Sequence, residues 1–342
     1  MDRRIILKHI AAGLSAGLTA THSARAEDSA PIRINLPGPQ SLPFLPLELI
    51  PRLGFDRVAG SPLQLRYFAS GVLALEDMLA GNAHFSAHGF SVLPGMHQKG
   101  KYAVAVARLS GQQAPAALLA RVGLPSKPTR VSDLASLSIG VSSGTVSSKT
   151  YLQMLGEQIL KVNGVATGAV RWVPMAQNWE SVKGALVSKS IDAILSEEPF
   201  ATRAINAGLA RPLFRMNNPK DLAQLPGSGH LRAVVTTATA NMVALAESGT
   251  RLLRMIGQSL DYIKHHTPTE IVDLLGVSDA SGRREWVAIL GQYKGLFPSD
   301  PRFSTAALQS TAVFLHAIGA MASPDPSGLA MLIDDRWTGH GE

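Results

Sequence analysis

Val131-Ser-Asp-Leu-Ala-Ser-Leu-Ser-Ile-Gly-Val-Ser-Ser-Gly-Thr-Val-Ser-Ser148 is the stretch from which the rest of the chain is read. Residues 137–141 form a short apolar run with β-branched Ile139 and Val141, bounded by turn residues, which predicts a buried strand. Ser142-Ser-Gly-Thr145 predicts a turn, and Tyr151, Leu152, Leu155 and Ile159 give helical periodicity over 151–160. A strand entering a helix through a Ser/Gly/Thr turn leaves backbone N–H groups and hydroxyls at a positive helix end. Such a turn can receive a small anionic or polar group, or simply cap the helix.

The same strand–turn–helix unit repeats on both sides. Before it come strands at 31–36, 63–68, 83–87 and 102–109, with helices at 44–53 and 72–80 between them. After it come strands at 170–173 and 191–195, and helices at 179–187 and 199–207. The stretch 111–128 holds three prolines and reads as irregular, a passage into a second lobe. His230-Leu-Arg-Ala-Val-Val-Thr-Thr237 is a β-rich segment able to return the chain to the first lobe. Beyond 240 the pattern is helical: 242–256, 260–265, 268–275, 284–293 and 305–318. Strands alternating with helices of about ten residues imply parallel sheets with helices on both faces.

At 342 residues and 46% hydrophobic, the chain is long enough for two lobes. It has no cysteine, which removes disulfides, thiolate metal sites and cysteine nucleophiles. Arg3-Arg4 followed by Ile6-Leu7-Lys8, a mildly apolar 10–19 and Ala24-Arg-Ala26 predict an export signal over 1–26, of twin-arginine type. Its removal takes four of 32 basic and one of 25 acidic residues, so the formal charge falls from +7 to +4. No basic run interleaved with aromatics points to nucleic acid.

In open α/β sheets, ligands sit beyond the carboxyl ends of the strands. Five turns are of that kind: Gln40-Ser41, Ser70-Gly71, His88-Gly89, Ser143-Gly144-Thr145 and Glu197-Glu198-Pro199. The candidate ligand-binding residues are therefore Gln40, Ser41, Ser70, Gly71 and His88 in one lobe. The other offers Ser143, Gly144, Thr145, Trp179 (an aromatic able to stack on a ligand) and Glu198. His84 reads as structural, and Arg121 and Arg171 as solvated surface. No nucleophile elbow, phosphate loop or His-Glu-x-x-His motif occurs, so no catalytic residue and no metal site are assigned.

Phe68-Ala-Ser-Gly71, Leu79-Ala-Gly81 and Phe85-Ser-Ala-His-Gly89 resemble the first lobe of solute-binding proteins of ABC importers of the nitrate/sulfonate/taurine type, which also include thiamine-pyrimidine-precursor binders. Val131-Ser-Asp-Leu134, Ile139-Gly-Val141, Ser190-Ile-Asp-Ala193 and Glu198-Pro-Phe200 resemble the second. The resemblance spans roughly residues 31–215. It implies an α/β, type II periplasmic-binding-protein-like clamshell: two mostly parallel-sheet lobes with a two-segment hinge. Lobe 1 is expected over 27–112 plus 238–342 and lobe 2 over 113–237. Further implied are a periplasmic monomer without cofactor, a small polar or anionic ligand, and an ABC permease as partner. Glu197-Glu198 stands where sulfonate binders often carry Trp or Asp. Two carboxylates there would repel an anion and leave room for a zwitterion, a cation or a polar heterocycle.

Overall fold

Ten strands build two five-stranded sheets in the computed structural model, which describes residues 30–111 and 114–338. The export signal read over 1–26 lies outside the described residues. The first sheet contains β1 (Ile32–Pro37), β2 (Leu63–Phe68), β3 (Phe85–Gly89), β4 (Ala103–Gly111) and β10 (Leu231–Ala238), in the order β2-β1-β3-β10-β4. The second contains β5 (Ala116–Arg121), β6 (Ser138–Ser142), β7 (Arg171–Met175), β8 (Ala193–Glu197) and β9 (Ala210–Arg215), in the order β7-β6-β8-β5-β9. Central strands are covered on both faces, so β3, β6 and β8 are buried along their whole length. At the edge of the first sheet, β2 exposes Gln64 and Tyr67.

Each sheet has four strands in one direction and one reversed. β10 runs antiparallel to β3 and β4, and β5 antiparallel to β8 and β9. The reversed strand in each case is the first one after the chain changes lobe. The crossings therefore lie between Gly111 and Ala116 and between Arg215 and Leu231. The second precedes the 237/238 boundary drawn from sequence, because β10 pairs inside the first sheet.

Two elements correct the sequence reading. The stretch 111–128, expected to be irregular, contains β5. Its Ala-Ala-Leu-Leu-Ala core has weak intrinsic strand preference, yet every residue is buried between β8 and β9; tertiary pairing overrides propensity. The helices expected at 242–256 and 260–265 are one helix, Ala246–His265. Gly257 does not break it, and buried Ser259 donates its hydroxyl to Pro46 O at 2.7 Å.

Apolar packing is divided by lobe and then joined. Ile32, Ile34, Leu36, Phe85 and Val235 pack with Leu252 and Ile256 behind the first sheet. Leu119, Ile194, Val182 and Phe200 form the outer core of the second. A third cluster runs through both lobes, bringing Phe90, Leu93 and Met96 of the first together with Leu152 and Leu155 of the second. Each such side chain contributes roughly 1.5–3 kcal/mol when fully buried, so the lobes meet along a seam that is in part apolar.

Candidate functional site

The carboxyl ends of the strands from both sheets converge on this seam. After β1, Ser41 precedes a short helix, and its Oγ accepts from Gln177 Nε2 at 3.1 Å. After β2, the Ala69 carbonyl accepts from the Gln177 backbone N–H at 3.0 Å. Leu42 N–H donates to the Glu198 carbonyl at 3.1 Å. Gln177 and Glu198 belong to the second lobe, Ser41, Leu42 and Ala69 to the first. Between them lies a cavity of about 10 Å³, room for about one water, lined among others by Gly71, Gly89, Ser142, Tyr151, Gln177 and Arg232. The lobes are closed on each other.

Arg232 and Glu197 form the electrostatic centre. Arg232 comes from β10 and Glu197 from the end of β8, and both are buried in the seam. Arg232 donates through Nε and Nη2 to the two carboxylate oxygens of Glu197. Gln177 Nε2 donates to Glu197 at 2.9 Å. The guanidinium lies 4.0 Å from the Tyr151 ring centre and 5.4 Å from that of Phe44, close enough for cation–π attraction. Tyr151 is itself fixed through its hydroxyl, 3.0 Å from His230 Nε2. Burial holds His230 neutral by pushing its pKa down to about 4.

The residues expected from sequence divide around this centre. Ser41 and Gly71 border the seam. Gly71 has no room for a Cβ, which would meet that of His88 at 2.7 Å. Ser70 is buried and caps the helix Gly71–Leu79, accepting from Leu73 N–H at 3.3 Å. His88 faces the interior, with Nε2 3.0 Å from Thr236 Oγ1 and Nδ1 3.0 Å from the Gly89 carbonyl. Desolvation pushes its pKa down to about 4. Gln40 adopts a left-handed backbone, φ 62°, and donates its N–H to Glu48 at 2.8 Å. Burial raises the Glu48 carboxyl to about 7.

In the second lobe the turn differs from the reading. The helix starts at Tyr151 with Thr150 as its cap, accepting from Gln153 N–H at 3.2 Å. Ser142 donates to Thr150 Oγ1 at 3.1 Å and ties strand to helix directly. Residues 143–149 therefore loop outward. Ser143 donates to the Met175 carbonyl at 2.9 Å, and Thr145 N–H donates to Ser148 O at 3.0 Å. At Gly144 a Cβ would run into the Ser148 carbonyl. Lys99 of the first lobe spans the seam to this loop, meeting Ser147 O and, at 2.6 Å, Ser148 Oγ.

Trp179 opens the helix Trp179–Val187 and packs on the outer core of the second lobe with Val182 and Phe200. Glu198 turns away from its neighbour Glu197, as adjacent residues in extended chain do. Its carboxylate accepts from Thr202 N–H and Oγ1 at 3.0 and 2.9 Å, and burial raises its pKa. It lines a separate polar pocket of about 170 Å³ with Arg215, Gln292 and Tyr293. Arg171 is exposed as expected, whereas Arg121 is buried and donates to the Ile191 carbonyl at 2.9 Å. Among the described residues, no group of three or more His, Asp or Glu side chains could hold a metal, and no helix is long and apolar enough to cross a membrane.

No family model and no curated relative matches this sequence. Solved structures do match its fold. A protein of Bordetella bronchiseptica RB50 superposes with a TM-score of 0.77 at 20% identity, covering 91% of this chain and 96% of that one. The alkanesulfonate-binding protein SsuA of Xanthomonas axonopodis pv. citri, bound to MOPS, gives 0.65 at 15% identity, covering 86% and 94%. The periplasmic nitrate-binding protein NrtA of Synechocystis PCC 6803 gives 0.64 at 11% identity, covering 91% and 87%. At these identities the likeness is one of fold. The chain has the two-lobed architecture of periplasmic binding proteins, as the resemblance implied.

Proposed function

We propose that this chain is an exported solute-binding protein that captures a small polar or anionic organic molecule between its lobes and delivers it to an ABC importer. The observation that carries the reading is the seam itself. Strand-end turns of two separate sheets meet there around Arg232, Glu197, Gln177, Tyr151 and Ser41. Similarity to structures described as sulfonate- and nitrate-binding components supports a transport role. The Arg3-Arg4 leader supports export to the periplasm by the twin-arginine route.

A clamshell of this kind works by population shift: a solute touching both lobes favours the closed form by its differential contacts alone. The seam offers a forked cation, a carboxylate, an amide and a tyrosine ring, the mix expected of a site that orients a small polar molecule. A thermal-shift screen of the chain lacking residues 1–26 tests this against sulfonates, nitrate, aromatic acids, pyrimidines and polyamines. At about one hundred times its dissociation constant, a true ligand stabilises by about 2.7 kcal/mol. A panel that leaves the melting point unmoved, or catalytic turnover of a compound that binds, argues against the reading.

A further inference from the structure

The bond between the lobes at the centre of the seam is an ion pair that the protein makes with itself. The Arg232 and Glu197 side chains are 3% and 0% exposed. The guanidinium is gripped through two nitrogens, faced by two rings, and has a third nitrogen to spare. That nitrogen, Nη1, is buried without a hydrogen-bond partner and lies 3.3 Å from where a Cβ on Gly89 would stand, beside the small seam cavity that Arg232 lines. Forked, sandwiched arginine with an unused donor is a receptor for a small anion.

We propose that Glu197 is the built-in occupant of that receptor: its carboxylate stands in for the anionic group of a solute and closes the lobes without one. The inference rests on the solute-binding reading and adds a selection rule to it. Exchanging Glu197 for another carboxylate on Arg232 gains little, because like replaces like. Glu197 would then keep only Gln177 as a donor, and a buried charge that loses its partner is strongly unfavourable. A solute bearing only an anion is therefore disfavoured. One that also presents an N–H donor or ammonium to Glu197 fits into the pair and satisfies both sides. Two further bridges made by charged side chains, Lys99 to Ser148 and Arg203 to Glu285, are more exposed and hold less firmly. The buried bonds of Gln177 to Ser41 and of Leu42 to the Glu198 carbonyl join uncharged groups, each weaker than a charge-assisted one.

The chain has no cysteine, so spin labels at Val58→Cys and Val187→Cys, one exposed site in each lobe, report only lobe separation. In the ligand-free protein with Glu197 intact, a single narrow distance distribution is expected. Glu197→Gln should add a population at longer distance, and solution scattering should show a larger radius of gyration. Propionate or ethanesulfonate should restore the short distance in Glu197→Gln at concentrations at least about tenfold below any that affect the parent, about 1.4 kcal/mol of selection. Glu197→Asp, with a shorter reach, should open in the same direction and serves if the glutamine variant fails to fold. A Glu197→Gln protein as closed as the parent overturns the proposal, as does a parent equally responsive to the two anions. An open variant that neither anion closes removes Glu197's role as occupant, while solute binding elsewhere in the seam still stands or falls by the thermal-shift screen.

Discussion

Gly89→Ala is expected to weaken solute binding about 100-fold, close to 3 kcal/mol, while changing the unliganded melting point far less. Gly89 ends β3 of the first lobe, and a Cβ there would sit 2.5 Å from the Tyr151 Cβ and 3.0 Å from its Cγ. Tyr151 cannot step aside. It begins a helix, bonds His230 through its hydroxyl and packs against Arg232 and Phe314. The severe clash lies across the seam, and within the first lobe the new Cβ meets only the end of the Arg232 side chain, at 3.3 Å, so relief comes from the lobes standing apart. Calorimetric titration with a hit from the thermal-shift screen measures the loss. Unchanged affinity would mean that the solute does not need the lobes closed.

Gly227→Ala should do the reverse, lowering unliganded stability by about 2–5 kcal/mol, the sum of a left-handed backbone cost and overpacking. Gly227 sits in the return crossing with φ +67°, and a Cβ would lie 2.5 Å from Ser310 O and 2.8 Å from Phe314 Cα. Those are backbone atoms of the helix Thr305–Ala317, which cannot rotate away. The Gly227 carbonyl also holds His230 Nδ1 at 2.8 Å, and His230 stacks on Phe314 at 3.8 Å. The crossing that aims Arg232 into the seam is thus built on this glycine. Chemical denaturation checks the figure, and a loss below about 1 kcal/mol, the scale of an ordinary surface change, would show that the crossing yields easily.

Most of the architecture was legible in sequence because β-branched runs, glycine stops and serine caps agree with the tertiary structure. Ile32, Ile34, Ile139 and Val141 are such strand residues, and Gly54 ends its helix in the left-handed conformation. β5 escaped notice because alanine carries little strand signal and its pairing is wholly non-local. The site was less legible. Of the serines singled out as ligand groups, Ser70 spends its hydroxyl on capping its own helix, which is what short polar side chains at helix starts usually do. Ser143 spends its hydroxyl on the Met175 carbonyl at the end of the neighbouring strand.

The central pair was missed, although each partner left a trace. Arg232 interrupts the apolar run 231–235, and Glu197 ends the apolar run 193–197. A lone charge within a buried strand must find a partner. Two such strands with opposite charges, one at each lobe's border, form a pattern that sequence can show. Helical and strand periodicity register only apolar faces and pass over it.

Hydrogen–deuterium exchange of the chain lacking residues 1–26, with and without the best-stabilising compound, tests the two-lobe site most directly. Bound solute should slow exchange in peptides from both halves of the seam, around Ser41, Gly71 and Gly89 in one lobe and Gln177 and Glu197 in the other. Protection confined to a single lobe, or centred on the pocket of Glu198 and Tyr293, would contradict capture between the lobes.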